Sequence, residues 1–302
     1  MKLGSLATYA CEGNEVISLA GRMFATIYAW VPTAAAIIGL LFGLLHRLLL
    51  RTRSRTYGGS SLEQQLVTAT HALFTVLYAI QIVPYTILVC RILFADDFLQ
   101  SLIRWYQGAF VILDSHLVLY AFEGALRVVA RPNWLLLLHH VCFFGITATG
   151  FFARSFFVLK LGLIFDCMAT YEVLLFATLM ARRLGASHAA VRAMLAAGIF
   201  IYAATRVLQL VVLIPFFKGS YGQLAGCGGL GVWSAMLVLT SILLIIQAYT
   251  FRIYAGVWRR HAPGLPASGF SSARLGHTTE GSSISLSHKP SDSAESVLSD
   301  SV

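Results

Sequence analysis

Seven stretches of this chain are long and apolar enough to cross a bilayer as helices: about residues 24–46, 66–90, 106–126, 134–153, 156–180, 190–216 and 231–251. A helix rises about 1.5 Å per residue, so a hydrocarbon layer of about 30 Å takes about 20 apolar residues to span. Composition agrees. Hydrophobic residues make up 58% of the 302 and charged residues only 12%, against about 25% charged in a soluble domain. Mean hydropathy is +0.76. The predicted fold class is all-α: a polytopic transmembrane helix bundle of about seven spans with a disordered C-terminal tail. Glu12 and Glu15 break the basic-then-apolar order of a cleavable signal, which leaves targeting to the first span.

The bases set the orientation. Arg47, Arg51, Arg53 and Arg55 follow span one, Arg127 and Arg131 span three, Arg182, Arg183 and Arg192 span five, and Arg252, Arg259 and Arg260 span seven. Cytosolic loops carry such an excess, so the N-terminus is expected to be lumenal or extracellular and the C-terminus cytosolic. The same bias, facing an anionic leaflet, accounts for the net charge of +9 without a nucleic-acid partner. Five cysteines are scattered without a CxxC or Cys/His ligand spacing. Cys11, Cys90 and Cys227 share the expected outer side, where one disulfide could form among them; Cys142 and Cys167 are packing residues.

Three segments follow from this pattern. Residues 1–61 hold the first span and a basic cytosolic loop, residues 62–258 a six-helix transmembrane domain, and residues 259–302 a tail rich in Ser, Gly and Pro that cannot bury enough apolar surface to order itself. No glycine-rich phosphate loop, GxSxG elbow or HExxH motif is present.

Ionisable groups inside the spans point to function, because each costs about 2.5–3.5 kcal/mol to insert. His71, Glu123, His139 and His140 all fall in the cytosolic third, and Asp166 and Glu172 sit deeper on span five. A site between helices needs this shared layer. Glu123 also stands i, i+4 from Arg127 and could form an interfacial ion pair. His139 and His140 project about 100° apart on a helix, so one can face a reaction centre while the other orients it or packs. Asp114, His116, Lys160 and Arg206 read as structural groups near span ends or able to snorkel.

The run Leu66-Val67-Thr68-Ala69-Thr70-His71 resembles the opening of the TLC domain, shared by translocating-chain-associated, longevity-assurance and ceroid-lipofuscinosis-type membrane proteins. Tyr120-Ala121-Phe122-Glu123, leading to His139-His140, is similar to that family's Tyr-x-x-acid segment before a His pair, and Ala169-Thr170-Tyr171-Glu172 to the acidic helix after it. The resemblance covers roughly residues 62–255. Phe165-Asp166 and Tyr171-Glu172 stand where ceramide synthases carry a His-Asp and a second Asp, so the likeness is closer to the branch tied to membrane lipid composition or transport.

The resemblance implies a protein of lipid metabolism or homeostasis in the endoplasmic reticulum or secretory pathway, with membrane lipids as its partners. If it is an enzyme, the implied reaction is acyl transfer to a lipid amine or hydroxyl, with acyl-CoA as co-substrate and no bound cofactor. His139, His140, Glu123 and Glu172 are the candidate catalytic residues, and His71, Tyr120 and Asp166 the candidate substrate-binding ones. No metal is expected, although His71, His139, His140 and Glu172 could in principle hold one. Two alternatives stand beside this reading. Tyr28-Ala29-Trp30-Val31-Pro32-Thr33 and the segment Tyr106–Arg127 are similar to the lipid-translocating exporter family, and seven spans with a serine-rich tail also suit a receptor.

Overall fold

The computed structural model describes residues 14–53, 55–95, 98–130, 134–153, 156–225 and 229–260, and among these the chain is all-helical. The order is α1 (Asn14–Thr52), α2 (Leu62–Leu93), α3 (Phe98–Ala130), α4 (Trp134–Ala153), α5 (Phe156–Thr170), α6 (Val173–Arg183), α7 (His188–Ala225) and α8 (Leu230–Arg260). Among the described residues, five segments are long and apolar enough to cross a membrane: Ala29–Thr52, Leu62–Leu93, Phe157–Arg183, His188–Gly222 and Leu230–Arg259. A shorter apolar stretch, Trp134–Gly150, fills most of α4. The serine-rich tail lies outside the described residues.

The helices pack as one bundle. α1 lies against α3 and α2, α2 also meets α6, α4 leans on α8, and α7 sits between α6 and α8. One apolar core gathers Tyr85, Ile92, Phe157, Leu161, Phe216 and Met236, and a second gathers Ile38, Phe74, Tyr78, Leu119 and Phe143. The outer faces stay apolar. Phe200, Val207, Val211 and Ile214 of α7 are exposed at 74, 62, 59 and 65%, as a helix facing lipid requires.

The fifth predicted span is not one helix. It breaks at Tyr171–Glu172 into α5 and α6, and Glu172 takes φ −77° and ψ −2° at the head of α6 without a capping side-chain bond. Its amide still bonds the Ala169 carbonyl at 3.0 Å, and its own carbonyl accepts from Leu175 and Phe176 at 2.9 and 3.1 Å. The backbone therefore remains satisfied through the break, a condition for irregular backbone at membrane depth. Tyr171 is held by a 3.0 Å hydrogen bond between its hydroxyl and Thr86 of α2.

Two connections shape the basic end of the bundle. At the end of α6, Gly185 adopts φ +78°, and the amides of Leu184, Gly185 and Ala186 close back on Met180, Arg182 and Ala181. Glycine suits this left-handed closure because it has no Cβ to clash. Between α1 and α2, Tyr57 is only 2% exposed; its hydroxyl donates to the Gln65 carbonyl at 2.9 Å and meets His46 Nδ1 at 2.6 Å. Burial pushes the Tyr57 phenol from 10.0 up to about 12. The loop is anchored, not a loose tether. Of the three cysteines considered for a disulfide, Cys90 is an exposed free thiol, and Cys11 and Cys227 lie outside the described residues.

Candidate functional site

The site begins with helix register. His71 lies nine residues into α2, His139 five residues into α4, and Glu123 seven residues before the end of α3. At 1.5 Å per residue these are depths of about 14, 8 and 10 Å from the same end of the bundle. Glu172, at the head of the eleven-residue α6, joins them on the cavity wall. The four residues line one cavity of about 110 Å³, closed by Leu135, Leu136, Phe176, Leu179, Ile246 and Ile253 among other apolar groups. Four candidate residues from the sequence thus converge.

The two adjacent histidines part company. His139 is half-buried and lines both this chamber and a second void of about 20 Å³ behind it. His140 is 2% exposed and turns toward α3, where its Nε2 stands 3.4 Å from Glu123 Oε2. That separation exceeds the usual 2.7–3.2 Å of an N–H···O bond, so the contact is electrostatic rather than a short hydrogen bond. Tyr120 fixes both rings from one side: it stacks on His140 at 4.8 Å and meets His139 edge-on at 5.8 Å. The pair divides into a half-buried imidazole that lines the chamber and a buried one.

The smaller void is lined by Tyr120, His139, Asp166, Glu172, Arg206 and Gln247 among others. Asp166, 1% exposed on α5, therefore belongs to this inner space and not to the chamber wall. Arg206 corrects the sequence reading: it does not snorkel to a span end. Its Nη2 donates to Glu172 Oε1, its Nη1 donates to Gln209 Oε1 at 2.8 Å, and its guanidinium lies 4.6 Å from the centre of the Tyr202 ring. The Tyr202 hydroxyl in turn donates to the Gln247 backbone carbonyl at 3.1 Å. A low-dielectric surround strengthens each of these charged contacts.

Asp114 and His116 also depart from expectation. They lie mid-way along α3, 1% and 0% exposed, at the middle of the span rather than near its ends. His116 stacks on Tyr78 at 5.2 Å, and Lys160 is 2% exposed on α5. The Arg127 side chain, considered as a partner for Glu123, lies outside the described residues. His71 faces Phe176, ring centres 5.9 Å apart. Among the described residues, no group of three or more His, Cys, Asp or Glu is arranged to hold a metal ion.

Sequence reasoning missed Gln247, Tyr202 and Phe176 as parts of the site. Gln247 interrupts the apolar run of α8 and was a usable signal; Tyr202 and Phe176 are aromatic residues of a kind that every span carries. Long apolar helices around a partly polar internal chamber are the architecture of a multi-pass integral membrane protein. Comparison with protein-family models, with curated proteins and with solved structures finds no match to this chain.

Proposed function

We propose that this chain is a TLC-type membrane protein of lipid metabolism that transfers an acyl group to a lipid amine or hydroxyl. The observation that carries the reading is the placement of His139: a half-buried imidazole in an apolar chamber with His71, Glu123 and Glu172 on the facing walls. In this scheme His139 takes the proton of the acceptor as it attacks the acyl carbonyl, then returns it to the leaving group. His140 and Glu123 hold the adjoining turn in register through Tyr120. Glu172, fixed by Arg206, presents its carboxylate to the acceptor. A chamber of about 110 Å³ takes the reacting head and carbonyl.

In this reading α3 and α4 cross the membrane with the five longer segments, giving seven spans. The end rich in arginine faces the cytosol, with exposed Arg47, Arg51, Arg53 and Arg55 beside the entrance for an acyl-CoA. The compartment is the endoplasmic reticulum or an adjoining secretory membrane. The test is direct. Purified protein in nanodiscs, given radiolabelled palmitoyl-CoA and a mixture of lipid amines and alcohols, should form labelled acyl lipid. His139→Asn should lower that rate by about 100-fold or more, the scale of a lost general base. Absence of any labelled lipid with the wild-type protein, or full activity in the variant, would overturn the assignment.

A further inference from the structure

The void of about 20 Å³ behind His139 carries its own chemistry. Three of its lining residues hold buried polar atoms with no hydrogen-bond partner in the protein: Asp166 Oδ2, Arg206 Nε and Gln247 Oε1. Asp166 and Gln247 are 1% and 6% exposed, so bulk solvent does not serve them. One water needs about 10–15 Å³ and two to four polar partners. The three atoms amount to one N–H donor and two acceptors, which together match a single water and leave one of its lone pairs uncommitted.

We propose that this void is a water site, and that the water makes the protein a hydrolase of long-chain acyl esters in addition to an acyl transferase. The inference rests on the reading of His139 as the base, because that residue alone among the two adjacent histidines lines both spaces. When an ester carbonyl occupies the chamber, the water keeps one hydrogen on Gln247 and turns the other from Asp166 toward His139. Its oxygen adds to the carbonyl carbon while His139 takes the proton. The tetrahedral adduct then expels the alkoxide by breaking the C–O bond, and the alkoxide receives that proton from His139. Ester and water become fatty acid and alcohol, with no further reactant. Gln247 and Arg206 position the nucleophile and do not touch the substrate carbonyl in this scheme.

The test uses the full-length protein in nanodiscs with 4-nitrophenyl palmitate in ¹⁸O-water, with and without a long-chain alcohol acceptor. Expected are palmitate carrying one ¹⁸O and a rate about 100-fold or more above the His139→Asn variant. Gln247→Leu removes an acceptor from the water and should lower the ratio of hydrolysis to transfer about tenfold. Gln247→Glu keeps an acceptor oxygen and should restore that ratio, which separates loss of the water from loss of the fold. Transfer without hydrolysis would overturn this inference and leave the transferase reading standing; loss of both would overturn both. An unchanged ratio in Gln247→Leu would overturn the water site itself.

Discussion

At the residue scale, the Arg206–Glu172 pair is the contact on which the site's geometry depends most. Their side chains are 12% and 22% exposed, and both residues line the inner void. Removing one member of such a pair leaves a charge without its partner in a low dielectric, at a cost of about 3 kcal/mol, whereas removing both costs less. Arg206→Met should therefore destabilise the protein by about 3 kcal/mol, and Arg206→Met with Glu172→Gln by clearly less. Thermal unfolding in detergent, followed by circular dichroism, decides this; a double variant weaker than the single would show that the pair acts by packing instead. Tyr57 gives a pH-dependent counterpart outside the spans. Its folded value of about 12 lies above its ordinary 10.0, so the protonated phenol is favoured by the fold. Its contribution should be complete below pH 10 and fade as pH rises toward 12. Melting curves across that interval should fall more steeply for the wild type than for Tyr57→Phe.

At the element scale, α6 matters because its start supplies Glu172 and its body closes the chamber. It packs on α7 through Gly198, where an added Cβ would stand 2.8 Å from Leu175 Cδ2 and 3.5 Å from the Leu175 amide nitrogen. Two effects compete. Replacing a helical glycine by alanine gains about 1 kcal/mol of propensity, while overpacking a core costs about 1–3 kcal/mol. Leu175 is 1% exposed and has little room to move, so a larger side chain tips the balance. Gly198→Val should cost about 2 kcal/mol, and Gly198→Ala should fall near neutral. Equal melting temperatures for the wild type and Gly198→Val would contradict the close approach of these helices.

At the scale of the whole molecule, the cavity lies toward the end where α1, α3, α6 and α8 finish and α2, α4 and α7 begin. The basic residues collect at that end. If it faces the cytosol, a reporter near Arg53 and another after Val302 should both be cytosolic, and a glycosylation acceptor inserted near Gly222 should be modified. An unmodified acceptor near Gly222 together with a modified one near Arg53 would reverse the orientation and place the chamber on the lumenal side.

Hydropathy alone determined that the chain is a set of apolar helices, because burying backbone and side chains in lipid is a local demand that each segment meets by itself. The shared depth of His71, Glu123 and His139 was equally legible, since rise per residue converts sequence position into height. Angular direction was not. Apolar residues surround these helices on nearly every side, so the sequence carries no stripe to show which face of α4 meets its neighbours. Only packing decided that His139 opens into the chamber while His140 turns to Glu123. Packing also decided that Arg206, an unremarkable base in a long span, meets a carboxylate from a different helix. The break at Tyr171–Glu172 is of the same kind: its two residues meet Thr86 of α2 and Arg206 of α7, partners that lie far away in the sequence.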